Sequence, residues 1–438
     1  MRAILTVGLG FGDEGKGSIV DYLTRKHSAD LVVRYNGGHQ AGHNVQLENG
    51  QRHTFSQFGA GTFAGARTFL SRHVIVDPLA MVNELNHLID CGLDGRALLD
   101  NLFVHEHALI TTVYHRAMNR IRSRLFTKAH GTCGVGIGET VRYHLKYGMD
   151  AVRVSTIWHK LALADKMDLV RRRYREEIQR MNLDPEQMSR NIAELQLFEQ
   201  PISDHVQQLW NAGREMDLSS RSVLDTPDFE TAIFEGAQGV LLDEAYGFHP
   251  HTTWGTTTLT NAMEIIRDIG QPVDTEVIGI MRAYATRHGN GPFPSQDGEV
   301  DAHVNDPANP PNTWQGRLRC GFPDLVLLEY AKTVLEMQGT ALNGVAVTCM
   351  DTATEFESFH VCESYMIDGV PVPNIPVFMV PRRNEMRHLA KKLKIAVPMF
   401  EPCDPDAFLE QVRDRIAPVT ITSWGPDATS KKAEIVCT

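Results

Sequence analysis

A short, mostly apolar run, Ala3-Ile4-Leu5-Thr6-Val7-Gly8, breaks directly into a glycine-dense turn, Gly10-Phe11-Gly12-Asp13-Glu14-Gly15-Lys16-Gly17-Ser18. Few folds accept a buried strand that ends in glycines and leads into a helix. The helix has to cross back over a sheet to reach the next parallel strand. Ile19, Val20, Tyr22 and Leu23 give the segment Ser18 to Lys26 an apolar helical face, and residues 30–35 supply the next strand. Residues 231–234, 277–281 and 344–348 read as further buried strands, the first again closed by a glycine turn. The expected fold class is α/β, a large, mainly parallel central sheet with crossover helices. From about 155 to 215 the chain is rich in Leu, Arg, Glu, Gln and Met and poor in glycine. We therefore expect one domain over 1–438, with a mostly helical subdomain at 100–225.

Composition narrows the function classes. Lys and Arg number 43 against 54 Asp and Glu, a net charge of −11 that disfavours non-specific binding to nucleic acid or an anionic membrane. No segment approaches the roughly 18–20 consecutive apolar residues of a membrane span, and the first apolar run is too short for a secretory leader. The cysteines (91, 133, 320, 349, 362, 403 and 437) are odd in number, scattered and without a Cys-x-x-Cys pair. That usage fits reduced thiols, so the expectation is a cytoplasmic protein.

The first turn satisfies G-x-x-x-x-G-K, in which backbone N–H groups and a helix N-terminus face a phosphate. The Ser or Thr that ordinarily follows, and that holds Mg²⁺, is Gly17 here, so a metal ligand has to come from elsewhere. Asp13 is the candidate oxygen donor. The alternative is a tight turn without a ligand. A second glycine turn, Asn36-Gly37-Gly38-His39-Gln40-Ala41-Gly42-His43-Asn44, carries two histidines. A general acid at His43 is the sharper reading, because helical metal-ligand spacing does not apply in such a turn. Three more polar, glycine-rich segments (130–138, 234–243 and 281–294) suggest a crevice at strand C-termini. Asp306 to Pro311 has the look of a lid. His105 with His107, and His249 with His251, lack a third metal partner, and Arg171-Arg172-Arg173 reads as a solvated helix face.

These motifs together resemble the adenylosuccinate synthetase family from the first strand to Ser423-Trp424-Gly425-Pro426-Asp427. The carrying segments are 12–17, 37–43, 134–138, 234–239, 283–287, 291–294 and 316–321, in the family's order. The resemblance implies a homodimeric ligase that couples GTP cleavage, with Mg²⁺, to joining aspartate to carbon 6 of IMP. It implies Asp13 as the base on nitrogen 1 and as a metal ligand, His43 as general acid, and Lys16 on the β,γ-phosphates. The Gly42 carbonyl becomes the second metal ligand. The triphosphate site would comprise Gly12, Glu14, Gly15, Lys16, Gly17, Gly42, Asp351, Ser423 and Gly425. The substrate side would use Gln40, Thr132, Cys133, Gln238, Thr253, Arg317 and Arg319. Asp351 would accept hydrogen bonds from guanine, favouring GTP over ATP.

Departures from the family pattern gather on the acceptor side. Gln40 stands for Asn, Cys133 for Thr and Val135 for Arg, while 252–255 and 313–316 are rewritten around Trp254 and Trp314; Cys349 stands for a Lys at the guanine site. No clear arginine is offered across the dimer to the monophosphate: Tyr147 falls near its place, with Arg142 or Arg153 as substitutes. The alternatives are a paralogue that uses another 6-oxopurine nucleotide (GMP or dGMP) or another amino acid, and a non-catalytic nucleotide-binding regulator.

Overall fold

The computed structural model describes residues 1–125, 132–218, 228–306, 309–311 and 313–434. His130 and Gly131 of the third glycine segment, part of the 306–311 stretch, the end of the 100–225 segment and Cys437 lie outside them.

Nine strands form the central sheet: β1 (Arg2–Gly8), β2 (Leu31–Arg34), β3 (Arg67–Leu70), β4 (Leu102–Val104), β5 (Thr231–Glu235), β6 (Asp274–Arg282), β7 (Gly344–Thr348), β8 (Val419–Ser423) and β9 (Lys431–Ala433). Their spatial order is β9-β8-β7-β6-β1-β5-β2-β3-β4, and all pairs are parallel except β8 with β9. This is the expected class, and the five strands expected from sequence are β1, β2, β5, β6 and β7. They are buried on both faces: Ala3, Leu5 and Val7 enter one apolar cluster while Ile4 enters the other. Leu31 and Val33 alternate in the same way with Val32, and Ala232 and Phe234 with Ile233. Such two-sided burial explains the nearly continuous apolar runs.

The helix after the first turn is α1 (Lys16–His27), whose Ile19, Val20 and Leu23 cover one sheet face. On the same side lie α2 (Pro78–Asp90), α3 (Val113–Leu125), α4 (Ile137–Tyr147), α5 (Lys160–Met181) and α6 (Ile202–Glu215). The opposite face is covered by α7 (Leu325–Met337). A three-stranded antiparallel sheet, Val370–Val372, Phe359–Ile367 and Val397–Cys403, was not expected from sequence. A hairpin pairs His43–Gln46 with Arg52–Phe55.

β1 lies between β5 and β6, and the chain leaves it toward β2 on one side while β7 and β8 extend the other. Its C-terminal end is thus a topological switch point, where parallel sheets open a crevice. The first glycine turn sits there. His105 and His107 lie in the turn after β4. Arg171 and Arg172 pair with Asp168, and Arg173 with Asp150, so this basic run is internally compensated. The six described cysteines are free thiols. Among described residues no helix is long and apolar enough to cross a membrane.

Candidate functional site

The loop between β1 and α1 is organised around Glu14. Its buried carboxylate accepts the N–H groups of Gly10 (3.1 Å) and Gly12 (2.7 Å) and pairs with the buried Lys16 ammonium. The N–H groups that face an anion in such loops are thereby held ready by a side-chain anion. Thr348, at the end of β7, donates its Oγ1 proton to the Glu14 carbonyl at 2.7 Å and ties the loop to the neighbouring strand. Asp13 takes a left-handed backbone (φ 62°), as does Gln238 (φ 63°), a conformation that costs non-glycine residues of order 1–3 kcal/mol. The Asp13 side chain is half-buried, with His288 Nε2 3.8 Å away and Arg282 donating to its carbonyl. Burial raises the Asp13 carboxyl above its ordinary range, and His288, Arg282 and Lys16 oppose the rise.

Gly17 has a steric cause. A Cβ there would lie 2.8 Å from the His43 carbonyl carbon and the Asn44 oxygen. The start of α1 is pressed against the hairpin strand that carries His43, which leaves no room for the usual hydroxyl residue. His43 itself is buried. Its Nδ1 meets Glu235 Oε1 at the end of β5, and its Nε2 has no hydrogen-bond partner. Glu235 also accepts the Ala60 N–H at 3.0 Å and lies 3.9 Å from the buried Arg34. Although burial raises the Glu235 carboxyl, Arg34 and His43 outweigh it and hold it below its ordinary range. Burial lowers His43 against the pull of Glu235. An ionised carboxylate on Nδ1 keeps the proton there and leaves Nε2 without one.

Both halves open on one cleft of about 1740 Å³. That exceeds the ~300–1,000 Å³ typical of a single-ligand pocket and suits several substrates at once. Gly12 to Gly17, Gln40, Gly42, His43, Thr132, Cys133, Gln238 and Thr253 line it. Thr132 donates to Asn119 Oδ1 at 2.9 Å, and burial pushes the Cys133 thiol up to about 11, so this cysteine is a neutral wall. Two rewritten residues share one support. A Cβ on Gly134 would lie 2.6 Å from the Trp314 ring, and one on Gly138 would lie 2.7 Å from Trp254. The Arg120 and Arg124 guanidiniums sit 6.0 and 5.3 Å from the Trp314 ring centre.

The family model for adenylosuccinate synthetase matches residues 5–394. The chain belongs to that family. Its members are C–N ligases, and so is this enzyme. It is 30% identical to the adenylosuccinate synthetase of Francisella philomiragia, over 87% of this chain and 86% of that one. Identity to the adenylosuccinate synthetase of a Synechococcus strain is 32%, over 86% and 82%. The fold matches fully ligated adenylosuccinate synthetase from Plasmodium falciparum, with a TM-score of 0.79 at 18% identity, over 99% of this chain and 100% of that one. It also matches a cyanophage S-2L succinoaminodeoxyadenylate synthetase bound to dGMP and dATP, with a TM-score of 0.57 at 15% identity, over 99% and 95%.

Some residues singled out by the family resemblance lie apart from the cleft wall. Asp351 lies in the first turn of the short helix Met350–Thr354 after β7, and Ser423 ends β8, with its hydroxyl donating to the Gly425 carbonyl at 3.1 Å. Pro426, next to them, does line the cleft. The Lys431 ammonium binds the Gly425 and Asp427 carbonyls, and burial lowers it to about 8. Arg317 is exposed and pairs with Asp301 at 3.0 Å, whereas Arg319 donates to Gln296 and to the Gly289 and Gly291 carbonyls. Sequence reading missed Glu235 as the partner of His43. It also missed Arg287, buried 3.9 Å over the Phe11 ring centre, with Nη1 on the Pro292 carbonyl and Nε unpartnered. Its motif, Ala283 to Arg287, was the available signal. Of the 306–311 stretch, Asp306 pairs with Arg282 at 2.8 Å, and Asp306, Asn309 and Pro310 line the cleft.

Proposed function

We propose that this ligase phosphorylates the 6-oxygen of IMP with GTP and then joins the aspartate amine to carbon 6, giving adenylosuccinate, GDP and phosphate. The observation that carries the reading is the convergence of Asp13, Lys16, Gly42 and His43 on one cleft. Asp13 accepts the proton of nitrogen 1, the ring charge moves to the 6-oxygen, and that oxygen attacks the γ-phosphorus as GDP leaves. The amine then attacks carbon 6, and phosphate departs with the bonding pair. A raised carboxyl at Asp13 suits a base that is to share a proton with a ring nitrogen.

His43 Nε2 faces the transferring oxygens. The charge of a bound polyphosphate favours the imidazolium, which Glu235 supports from Nδ1. Lys16, with Gly12, Gly15 and Gly17, cradles the triphosphate once the Glu14 carboxylate gives way to it. Mg²⁺ fits the oxygen donors of the Asp13 carboxylate and the Gly42 carbonyl, and when bound it neutralises polyphosphate charge. Asp351, Ser423 and Gly425 would take the guanine. Gln40, Thr132, Cys133, Gln238 and Thr253 would take the monophosphate. Arg317 would reach the amino acid on leaving Asp301, with Arg319 beside it. The same reading makes the enzyme a cytoplasmic homodimer that engages neither nucleic acid nor membrane, and treats residues 1–438 as one domain with a helical subdomain at 100–225.

A second reading, a different 6-oxopurine monophosphate (GMP or dGMP) or another amino acid, is favoured by Trp254 and Trp314 resting on residues 134–138. Phosphate release from GTP and ATP across IMP, GMP and dGMP with several amino acids separates the two. Release that requires IMP and aspartate supports the first. Release with another pair supports the second. Nucleotide binding without release under any combination refutes both and leaves a regulator.

A further inference from the structure

We propose that His53, His87 and Cys91 form a binding site for a zinc ion that borders the cleft through His53, with nitrogen and sulfur donors distinct from the oxygen donors proposed for Mg²⁺. Their donor atoms lie within 4.8 Å of one another. His53 is buried in the hairpin strand Arg52–Phe55, while His87 and Cys91 stand one turn apart at the C-terminal end of α2. An i, i+4 pair on a helix points both side chains to the same side. Here that side meets the hairpin: His53 Nδ1 is 2.6 Å from His87 Nδ1, and Cys91 Sγ is 3.8 Å from that same nitrogen.

The donor set and its surroundings point to one class of ligand. Two imidazole nitrogens and a thiolate sulfur suit zinc and its borderline-soft neighbours rather than Mg²⁺ or Ca²⁺, which take oxygen. Two imidazole nitrogens 2.6 Å apart share one proton, and a cation that replaces that proton has to spread them. Tetrahedral zinc, with bonds of ~2.0–2.1 Å to nitrogen and ~2.3 Å to sulfur, needs its ligand atoms roughly 3.3–3.6 Å apart. Shifts of about 1 Å, shared among the exposed His87, the half-buried Cys91 and His53, meet that.

His53 is oriented like a ligand. Its ring stacks on His87 (centroids 4.8 Å) and meets the edges of Phe55 (4.5 Å) and Phe63 (6.1 Å). Its Nε2 has no hydrogen-bond partner and lies 3.7 Å from Glu84 Oε1, which favours the proton on Nε2 and a bare Nδ1. Glu84 is itself fixed by the N–H groups of Ser56, Gln57 and Phe58 at 2.9, 2.9 and 3.2 Å. Three protein ligands with an exposed side leave a fourth position for water.

An ion here would pin α2 to the hairpin whose other strand begins at His43, since Val45 pairs with His53 and His43 with Phe55. The test uses the full chain, stripped with a chelator and titrated with Zn²⁺ alone by calorimetry. Co²⁺ is used in parallel for its thiolate charge-transfer and tetrahedral absorption. One equivalent is expected per chain, with a thiolate band and a higher melting temperature in zinc. His87→Ala and Cys91→Ser should each weaken Zn²⁺ binding by more than about 100-fold, beyond the 10–100-fold cost of outer-shell changes. Both variants should melt like the parent without metal. Binding retained in either variant, a Co²⁺ spectrum without the thiolate band, or no binding by about 100 μM Zn²⁺ overturns the site. None of these outcomes depends on turnover, so the zinc site and the ligase reading fail separately.

Discussion

The Nδ1 atom of His43 contacts the Oε1 atom of Glu235, a residue 192 positions away in sequence, and both side chains are buried. Glu235→Gln keeps the shape but removes the charge that holds the proton on Nδ1. The wrong tautomer then faces the cleft. We expect kcat to fall by about 10²-fold or more with little change in KM for GTP, as read by steady-state phosphate release. An unchanged kcat would show that something else orients His43.

Burial raises the Asp13 carboxyl, and a base works only when ionised. Activity should therefore rise with pH as Asp13 loses its proton, with an acid limb in kcat/KM above the ordinary Asp value of about 3.9. Asp13→Asn should lower kcat by about 10²–10⁴ and abolish that limb. A variant that keeps the limb would assign it to another group.

Restoring the commonest phosphate-loop residue should do harm here. Gly17→Ser puts a Cβ within 2.8 Å of the His43 backbone, an overlap of the kind that costs about 1–3 kcal/mol. Thermal unfolding should report the loss and kinetics a lower kcat/KM. A serine variant as stable and active as the parent would contradict the packing.

Trp314→Ala removes the ring that rests on Gly134 and faces Arg120 and Arg124. KM for the monophosphate and for the amino acid should both rise, by roughly tenfold or about 1.4 kcal/mol, while KM for the triphosphate holds. A rise confined to the triphosphate would place the ring elsewhere in the cycle.

Asp351→Asn should reduce the preference for GTP over ATP by at least about tenfold, since a neutral amide no longer accepts from both guanine donors. Competition assays with the two triphosphates give the ratio. Equal use of both by the unaltered enzyme would remove Asp351 from base reading.

Much of the fold was legible because strands buried on both faces must be apolar throughout, as in β1 and β7. Glycine turns at their ends marked the cleft for the same local reason. Glu235 was not legible, since its partnership with His43 depends on β5 lying beside β1 and β2, which no local pattern encodes. Gly17 departs from the general phosphate-loop pattern, and the steric reason lies in the His43 strand, which no local pattern places against it. The sheet formed by 359–367 and 397–403 escaped notice because Pro398 and Pro402 blur the alternation of an exposed strand. Arg317 and Arg319 were named by motif alone, and a motif carries no direction for a side chain.

Two indole rings lean on the ends of one five-residue segment, Trp314 on Gly134 and Trp254 on Gly138, and neither end has room for a methyl group. Exchange of either tryptophan-bearing loop alone, by recombination or by design, would therefore jam or hollow the wall it shares with the other. The two loops are coupled through those glycines, so a change of ring size at one is felt along the whole segment.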